Sequence, residues 1–187
     1  MHQKSTVTAN NRYPEIFSEV KRLHPKAKRI LSFGCSTGEE ILSLKNYFPD
    51  SYIEGVEINK MCIGTCIING LNVILYDDFK TDRLRYDIIF AMSVLCRYDD
   101  TMKDEDATKH YSFNQFDHEI ERFVSKLNLG GLLIVYNSNY MVTDSTAYFY
   151  KELESMPFDH ESGFVPKYHK DREPLQSMYS ETIFRKI

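Results

Sequence analysis

A short segment of small residues is the part of the sequence best suited to hold a ligand. The segment GCSTG, residues 34–38, follows the apolar run RILSF and precedes a pair of acids, Glu39 and Glu40. A strand that ends in such a turn and leads into a helix brings backbone N–H groups close to a bound molecule. The residues predicted to contact this ligand are Gly34, Cys35, Ser36, Thr37 and Gly38.

The acids after the turn distinguish between two ligands that such turns hold. A dinucleotide site has the pattern GxGxxG, and Ser36 and Glu39 stand where its second and third glycines belong. Glu39 and Glu40 would also repel a pyrophosphate at the start of the helix, because like charges disfavour one another. S-adenosylmethionine carries a sulfonium and an ammonium but no phosphate. The turn therefore favours S-adenosylmethionine, with S-adenosylhomocysteine as the product, over a nicotinamide cofactor.

Further candidate cofactor residues stand at the ends of the next predicted strands. Glu57 ends the second strand, where a carboxylate can accept hydrogen bonds from both ribose hydroxyls of an adenosine. Asp77 and Asp78 end the third strand and can accept from the adenine amino group, while Phe79 can stack on the adenine ring. The predicted cofactor pocket is completed by Ile58 after the second strand and by Ala91, Met92 and Ser93 at the end of the fourth.

Segments with strand and helix periods alternate along the chain. Residues 13–24 and 116–127 have the 3.6-residue period of amphipathic helices. Strands that alternate with helices predict an α/β fold, in which a parallel sheet is covered by helices on both faces. The predicted helices are 13–24, 38–48, 60–69, 116–127 and 147–156, and the predicted strands are 28–33, 51–58, 72–76, 87–93, 132–136, 163–168 and 178–187.

Size and composition restrict the classes of protein to consider. The 187 residues, of which 42% are hydrophobic, are enough for one packed domain over residues 1–187, with a flexible segment at 1–12. A net charge of −4 disfavours nucleic acid or an anionic membrane as a partner. No apolar run approaches the ~18 residues of a membrane span, and the four cysteines lack zinc-site spacing. We expect a cytoplasmic protein without a metal site.

Together, GCSTG, Glu57, Asp77-Asp78 and YDIIFAMSVL (residues 86–95) resemble the class I S-adenosylmethionine-dependent methyltransferases, over about residues 12–187. This resemblance implies a Rossmann-like, seven-stranded, mostly parallel sheet with an antiparallel C-terminal strand. CSTGEE, residues 35–40, is similar to the chemotaxis-receptor methyltransferases. The chain departs from those enzymes at Met92-Ser93, where they have an Arg-Asn pair. Ser32 also replaces an acid that is common in the superfamily.

The resulting prediction is a methyltransferase that acts on a small-molecule or metabolite acceptor by in-line transfer of the methyl group to oxygen or nitrogen. Alignment of the nucleophile, the methyl group and the sulfur can supply much of the rate, so no general base is obligatory. We expect residues 97–114 to cover the acceptor site. The candidates that could face the methyl group are Ser93, Arg97, Tyr98, Asn137, Asn139 and Tyr140, and the candidate bases are His110, His160 and His169.

Two alternative functions remain open from the sequence. Ser32 and Ser36, which replace typical cofactor-site residues, allow a catalytically silent methyltransferase-like protein that binds a partner. A nicotinamide-dependent oxidoreductase is disfavoured by Glu39. Binding of S-adenosylmethionine separates a cofactor-using protein from a pure scaffold, and calorimetry with the two cofactors tests the oxidoreductase.

Overall fold

The computed structural model describes residues 5–97, 109–171, 175 and 179–187. Its helices and strands alternate over the first half of the chain, as the sequence predicts. The helices are α1 Pro14–Leu23, α2 Glu39–Tyr47, α3 Lys60–Ile68, α4 Tyr76–Thr81, α5 Phe113–Lys126 and α6 Thr146–Phe149. The strands are β1 Arg29–Phe33, β2 Tyr52–Glu57, β3 Val73–Leu75, β4 Tyr86–Met92, β5 Leu127–Tyr136, β6 Leu153–Met156 and β7 Ile183–Lys186.

The strands form one seven-stranded sheet in the order β3-β2-β1-β4-β5-β7-β6. Strand β1 pairs in parallel with β2 and β4, and β2 pairs in parallel with β3. Strand β7 is antiparallel to β6. The predicted Rossmann-like sheet with an antiparallel C-terminal strand is therefore confirmed. The strand order reverses between β1 and β4, which is where sheets of this kind bind ligands at the carboxyl ends of their strands.

The chain folds into two compact units. One comprises residues 5–90 and 126–132, and the other comprises the described parts of 91–125 and 133–187. The single domain over residues 1–187 stays a prediction. Part of the segment expected to be flexible makes defined contacts, since the backbone N–H of Asn11 donates to Ser43 Oγ at 2.7 Å and Ser36 Oγ donates to the Thr6 carbonyl at 2.8 Å. Residues 1–4 lie outside the described residues.

The C-terminal third differs most from the sequence-based expectation. The predicted helix 147–156 ends after Phe149, because Lys151 takes a left-handed φ of 57° that a helix cannot continue through. The rest of that segment forms strand β6. The strand predicted at 163–168 is replaced by a single bridge between Tyr140 and Tyr168. The strand predicted at 178–187 is shorter in the structure, where it is β7, Ile183–Lys186.

A buried carboxylate lies in the middle of strand β2. Glu54 is 3% exposed, and its Oε1 lies 3.9 Å from Nε of Arg29. Burial raises the pKa of Glu54 above its usual value, while the nearby Tyr86 hydroxyl and Arg29 act in the opposite direction. Because the folded state holds this proton more tightly than the unfolded chain, stability is lost as the pH rises through the raised pKa.

We predict that Glu54→Gln removes this loss. The variant should exceed the wild type in free energy of unfolding at pH 8 by about 1 kcal/mol, the order of the cost of leaving a buried acceptor unsatisfied. At pH 5 the advantage should be smaller, because a larger fraction of the wild-type carboxyl is then protonated than at pH 8. Urea unfolding at both pH values measures the difference, with Glu121→Gln, at an exposed position of α5, as the control. An equal difference at both pH values contradicts the assignment.

Candidate functional site

The turn between β1 and α2 has the conformation that its small residues suggest. Gly34, Ser36 and Gly38 have φ values of 75°, 50° and 99°, all in the left-handed region that favours glycine. The amides of Gly34 and Cys35 both donate to the Val56 carbonyl, at 2.8 and 3.1 Å. The turn is thereby fixed to the neighbouring strand β2.

The carboxylate of Glu57 holds the middle of the same turn. It accepts the backbone N–H of Ser36 at 2.9 Å on Oε2, and those of Ile58 and Asn59 at 2.8 and 2.9 Å on Oε1. A carboxylate has about four acceptor positions, so about one remains, on Oε2. The contact of Glu57 with both ribose hydroxyls stays a prediction. The remaining acceptor position can take one further donor. Sequence reasoning missed the structural role, because it depends on a contact between residues 21 positions apart.

Gly38 is needed for packing between protein segments. A Cβ atom built on Gly38 would lie 2.3 Å from Cδ1 of Leu71 and 3.2 Å from Sγ of Cys66. From the sequence, we expect this glycine either to leave room for the ligand or to adopt a φ that side chains disfavour. The left-handed φ is as expected, but the close neighbours of the Cα atom are Leu71 and Cys66.

The two acids after the turn are held by hydroxyl groups. Thr37 Oγ1 donates to Glu39 Oε2 at 2.7 Å, and Ser32 Oγ donates to Glu40 Oε1 at 2.7 Å. Burial raises the pKa of Glu40 to about 7, opposed by the Ser32 hydroxyl and by Arg12. Ser32 stands where the superfamily commonly has an acid. Helix α2 therefore supplies a carboxylate to the position at which strand β1 lacks one.

The end of strand β3 differs from the predicted adenine site. Asp77 and Asp78 lie in the first turn of α4, and Asp77 is exposed and paired with Lys80 at 2.5 Å. Phe79 is fully buried, with its ring 5.6 Å from that of Phe33. The stacking role predicted for Phe79 does not fit this position, because its ring belongs to the core. The half-buried Tyr76, at the start of α4, is the aromatic residue next to β3.

The ends of β4 and β5 carry strained backbone. Ala91 and Met92 are buried, and Ser93 follows them with a φ of 56°. Asn137, just after β5, has a φ of 57°. The Ser93 amide donates to the Tyr136 carbonyl at 2.8 Å, and Nδ2 of Asn137 donates to Ser93 Oγ at 3.1 Å. Non-glycine residues in this conformation persist only where the surrounding structure determines them.

The asparagines after β5 are occupied by contacts within the protein. Oδ1 of Asn137 accepts the amides of Phe164 and Val165, at 2.9 and 3.0 Å. Asn139 Oδ1 accepts the Arg97 amide at 2.7 Å, and Asn139 Nδ2 donates to the Pro166 carbonyl at 2.8 Å. Both side chains are buried and position chain segments, and their predicted place opposite the methyl group stays a prediction.

The remaining candidates divide between the core and the surface. Tyr140 is fully buried, and its hydroxyl donates to the Tyr111 carbonyl at 2.6 Å. His160 is half-buried and stacks on Phe158. Nδ1 of His169 lies 3.3 Å from Oδ2 of Asp144. His110 is half-buried.

Tyr98 and most of the predicted 97–114 cover, residues 98–108, lie outside the described residues. That cover therefore stays a prediction.

The connection between β6 and β7, which the structure describes at residues 157–171, 175 and 179–182, makes contacts that the sequence does not predict. Its Gly163 has a φ of 100°, and a Cβ there would lie 2.4 Å from Cα of Asn137. The left-handed glycine and the bonds from Asn137 and Asn139 fix the connection beside the carboxyl end of β5. Gly163 is the one local signal, and the contacts themselves are long-range.

The described residues contain no group of three or more His, Cys, Asp or Glu side chains arranged to bind a metal. The four cysteines are buried and form no disulfide bond within the part of the chain that the structure describes. Within the same part of the chain, no helix has the length and apolar character needed to cross a bilayer.

Comparison with known proteins identifies the family. A family model described as a methyltransferase domain matches residues 8–175. The chain therefore belongs to this family, which confirms the resemblance to class I S-adenosylmethionine-dependent methyltransferases. S-adenosylmethionine is the cofactor of that class, so the cofactor prediction is confirmed at the level of the family. No curated protein sequence matches the chain.

Solved structures have the same fold at low identity. TehB from Haemophilus influenzae is 15% identical with a TM-score of 0.58, and the match covers 92% of this chain and 62% of that one. S-adenosylmethionine-bound CalS10, an amino pentose methyltransferase of calicheamicin biosynthesis from Micromonospora echinaspora, is 17% identical with a TM-score of 0.53. That match covers 70% of this chain and 50% of the other. The chain thus spans between one half and two thirds of these proteins' lengths.

We predict that Gly38→Ala destabilises the protein more than Gly70→Ala does. Both glycines have a left-handed φ, but a Cβ at Gly70 meets nothing within 4 Å. The Gly70 variant should lose about 1 kcal/mol from backbone strain, and the Gly38 variant a further ~1–3 kcal/mol from overpacking against Leu71. Urea unfolding measures both. Equal losses would show that Leu71 moves aside.

Proposed function

We propose that this protein transfers the methyl group of S-adenosylmethionine in line to an oxygen or nitrogen of a small-molecule acceptor. The observation that carries the proposal is the turn at residues 34–38. Its amides at positions 34, 35 and 36 donate to Val56 or to Glu57, and the Gly38 amide donates to the Cys35 carbonyl. Amides used in this way do not form a cradle for a pyrophosphate, which supports a cofactor without phosphate.

Glu40 provides the complementary charge. Its carboxylate lies beside the carboxyl end of β1, on the ligand-binding edge of a sheet of this type. In the proposed complex it faces the α-ammonium of the methionine moiety. Glu57 keeps the turn in place and accepts one ribose hydroxyl. The other proposed cofactor contacts are Ile58, Asp77, Asp78, Ala91, Met92 and Ser93.

Calorimetry tests the cofactor assignment. S-adenosylmethionine and S-adenosylhomocysteine should bind, and NADH should not. Transfer of a labelled methyl group to a mixture of metabolites then tests catalysis. Binding without transfer to any acceptor favours the silent binding protein, and the absence of binding refutes the proposal.

We predict that Glu57→Gln weakens S-adenosylmethionine binding about 10- to 100-fold, since unpairing a charge-assisted hydrogen bond costs ~1.5–3 kcal/mol. The glutamine oxygen can still accept from Ile58 and Asn59, but its NH₂ group then faces the Ser36 N–H. Calorimetry measures the affinity, and Glu121→Gln serves as the surface control. An unchanged affinity in a folded Glu57→Gln protein refutes the role of Glu57.

We also predict that cofactor affinity depends on pH through Glu40. A cationic ligand prefers the ionised carboxylate, and the pKa of about 7 means that ionisation develops mainly between pH 6 and pH 8. Affinity should therefore rise about tenfold over this range. Glu40→Gln should remove that component while leaving any titration of the ligand itself. Ser32→Ala, which removes a donor to the carboxylate, should shift the rise to higher pH. A wild-type profile identical to that of Glu40→Gln rules out the contact.

A further inference from the structure

A cavity of about 200 Å³ lies along the connection between β6 and β7. Lys167 and Glu161 are its charged lining residues, and Glu161 is exposed. The other lining residues are glycine or have mainly apolar side chains. They are Gly163, Val165, Pro166, Leu175 and Tyr179.

Lys167 is a largely desolvated cation in this lining. Its Nζ donates to the Ser138 carbonyl at 2.8 Å and lies 5.4 Å from the centre of the Tyr179 ring. Within the described ranges, no Asp or Glu oxygen lies within salt-bridge distance of Lys167. Burial lowers the pKa of Lys167 to about 8. An ammonium has three donors, so the contact with Ser138 leaves capacity for a ligand.

The cavity lies near the carboxyl end of strand β5. Ser138 follows the end of β5 by two residues, and Asn137 and Asn139 on either side of it fix the connection that carries Lys167. Substrates of α/β sheets bind beyond the carboxyl ends of the strands. The cavity therefore lies beside an edge of the sheet where an acceptor is expected.

The charges also restrict the ligand. A half-buried cation that has no acidic partner among the described residues is stabilised by an anion that enters with it. The apolar side chains of Val165, Pro166 and Leu175 favour an anion that carries an apolar group. The exposed carboxylate of Glu161 makes a doubly charged phosphate a poorer fit than a single carboxylate.

We propose that this cavity binds a carboxylate-bearing small molecule with an apolar body, and that Lys167 receives the carboxylate. Given the proposed function, this molecule is the methyl acceptor, so the inference specifies the acceptor class. Binding of the carboxylate in this cavity can be tested independently of methyl transfer.

Titrations of isotope-labelled protein with benzoate, benzamide and inorganic phosphate, followed by NMR, test the proposal. Benzoate should shift the amide signals of residues 161–167 and bind at least tenfold more tightly than benzamide or phosphate. Its affinity should fall above about pH 8, where Lys167 loses its charge. Lys167→Met should remove the preference for benzoate over benzamide, whereas Lys170→Met, an exposed lysine of the same connection, should retain it.

Equal binding of benzoate and benzamide to the wild type overturns the proposal, whether or not Lys167→Met folds. Absence of benzoate binding, or tighter binding of phosphate, overturns it as well. S-adenosylmethionine binding is measured on the same samples. If the wild type binds benzoate but not S-adenosylmethionine, the proposed function is refuted and the carboxylate site is not. If it binds S-adenosylmethionine but not benzoate, only the carboxylate site is refuted.

Discussion

The proposed cofactor site depends on one carboxylate that accepts hydrogen bonds from the protein backbone. Glu57 accepts three backbone N–H groups, and the one from Ser36 joins the end of β2 to a turn that contains three left-handed residues. Hydrogen bonds to an ionised acceptor are about twice as strong as neutral ones. They offset the strain at Ser36, which has a side chain and yet adopts a φ of 50°. A ligand therefore meets a turn that is already formed.

This arrangement also gives the proposed site a means of distinguishing between cofactors. Helix N-termini attract phosphate when their N–H groups are unpaired, but most amides of this turn already have protein acceptors. Glu39 and Glu40 add negative charge at the same place. In the proposed site, selectivity for a cationic ligand comes partly from attraction to Glu40 and partly from rejection of anions, and the second contribution needs no contact with the preferred ligand.

The parts of the fold that follow local patterns could be predicted from the sequence, and those that depend on distant contacts could not. The alternation of apolar segments predicts the sheet, and GCSTG predicts its ligand-binding turn. Helix α4 has six residues, which is too short to show a helical period in the sequence. Phe79 is therefore predicted to be a residue at the end of a strand, although it belongs to the core. Strand β6, with the sequence LESM, lacks apolar alternation. The bonds from Asn137 to residues 164 and 165 leave no mark in the local sequence.

The connection between β6 and β7 is fixed by the same residues that carry backbone strain. Left-handed conformations at Ser93 and Asn137 cost about 1–3 kcal/mol each, and the side chain of Asn137 joins both positions to the connection. Gly163 packs so closely on Asn137 that no larger residue fits without movement. The strained strand ends and the connection therefore stabilise one another. Because Lys167 lies in this fixed segment, its ammonium is positioned before a ligand arrives, so less ordering free energy opposes binding than in a flexible loop.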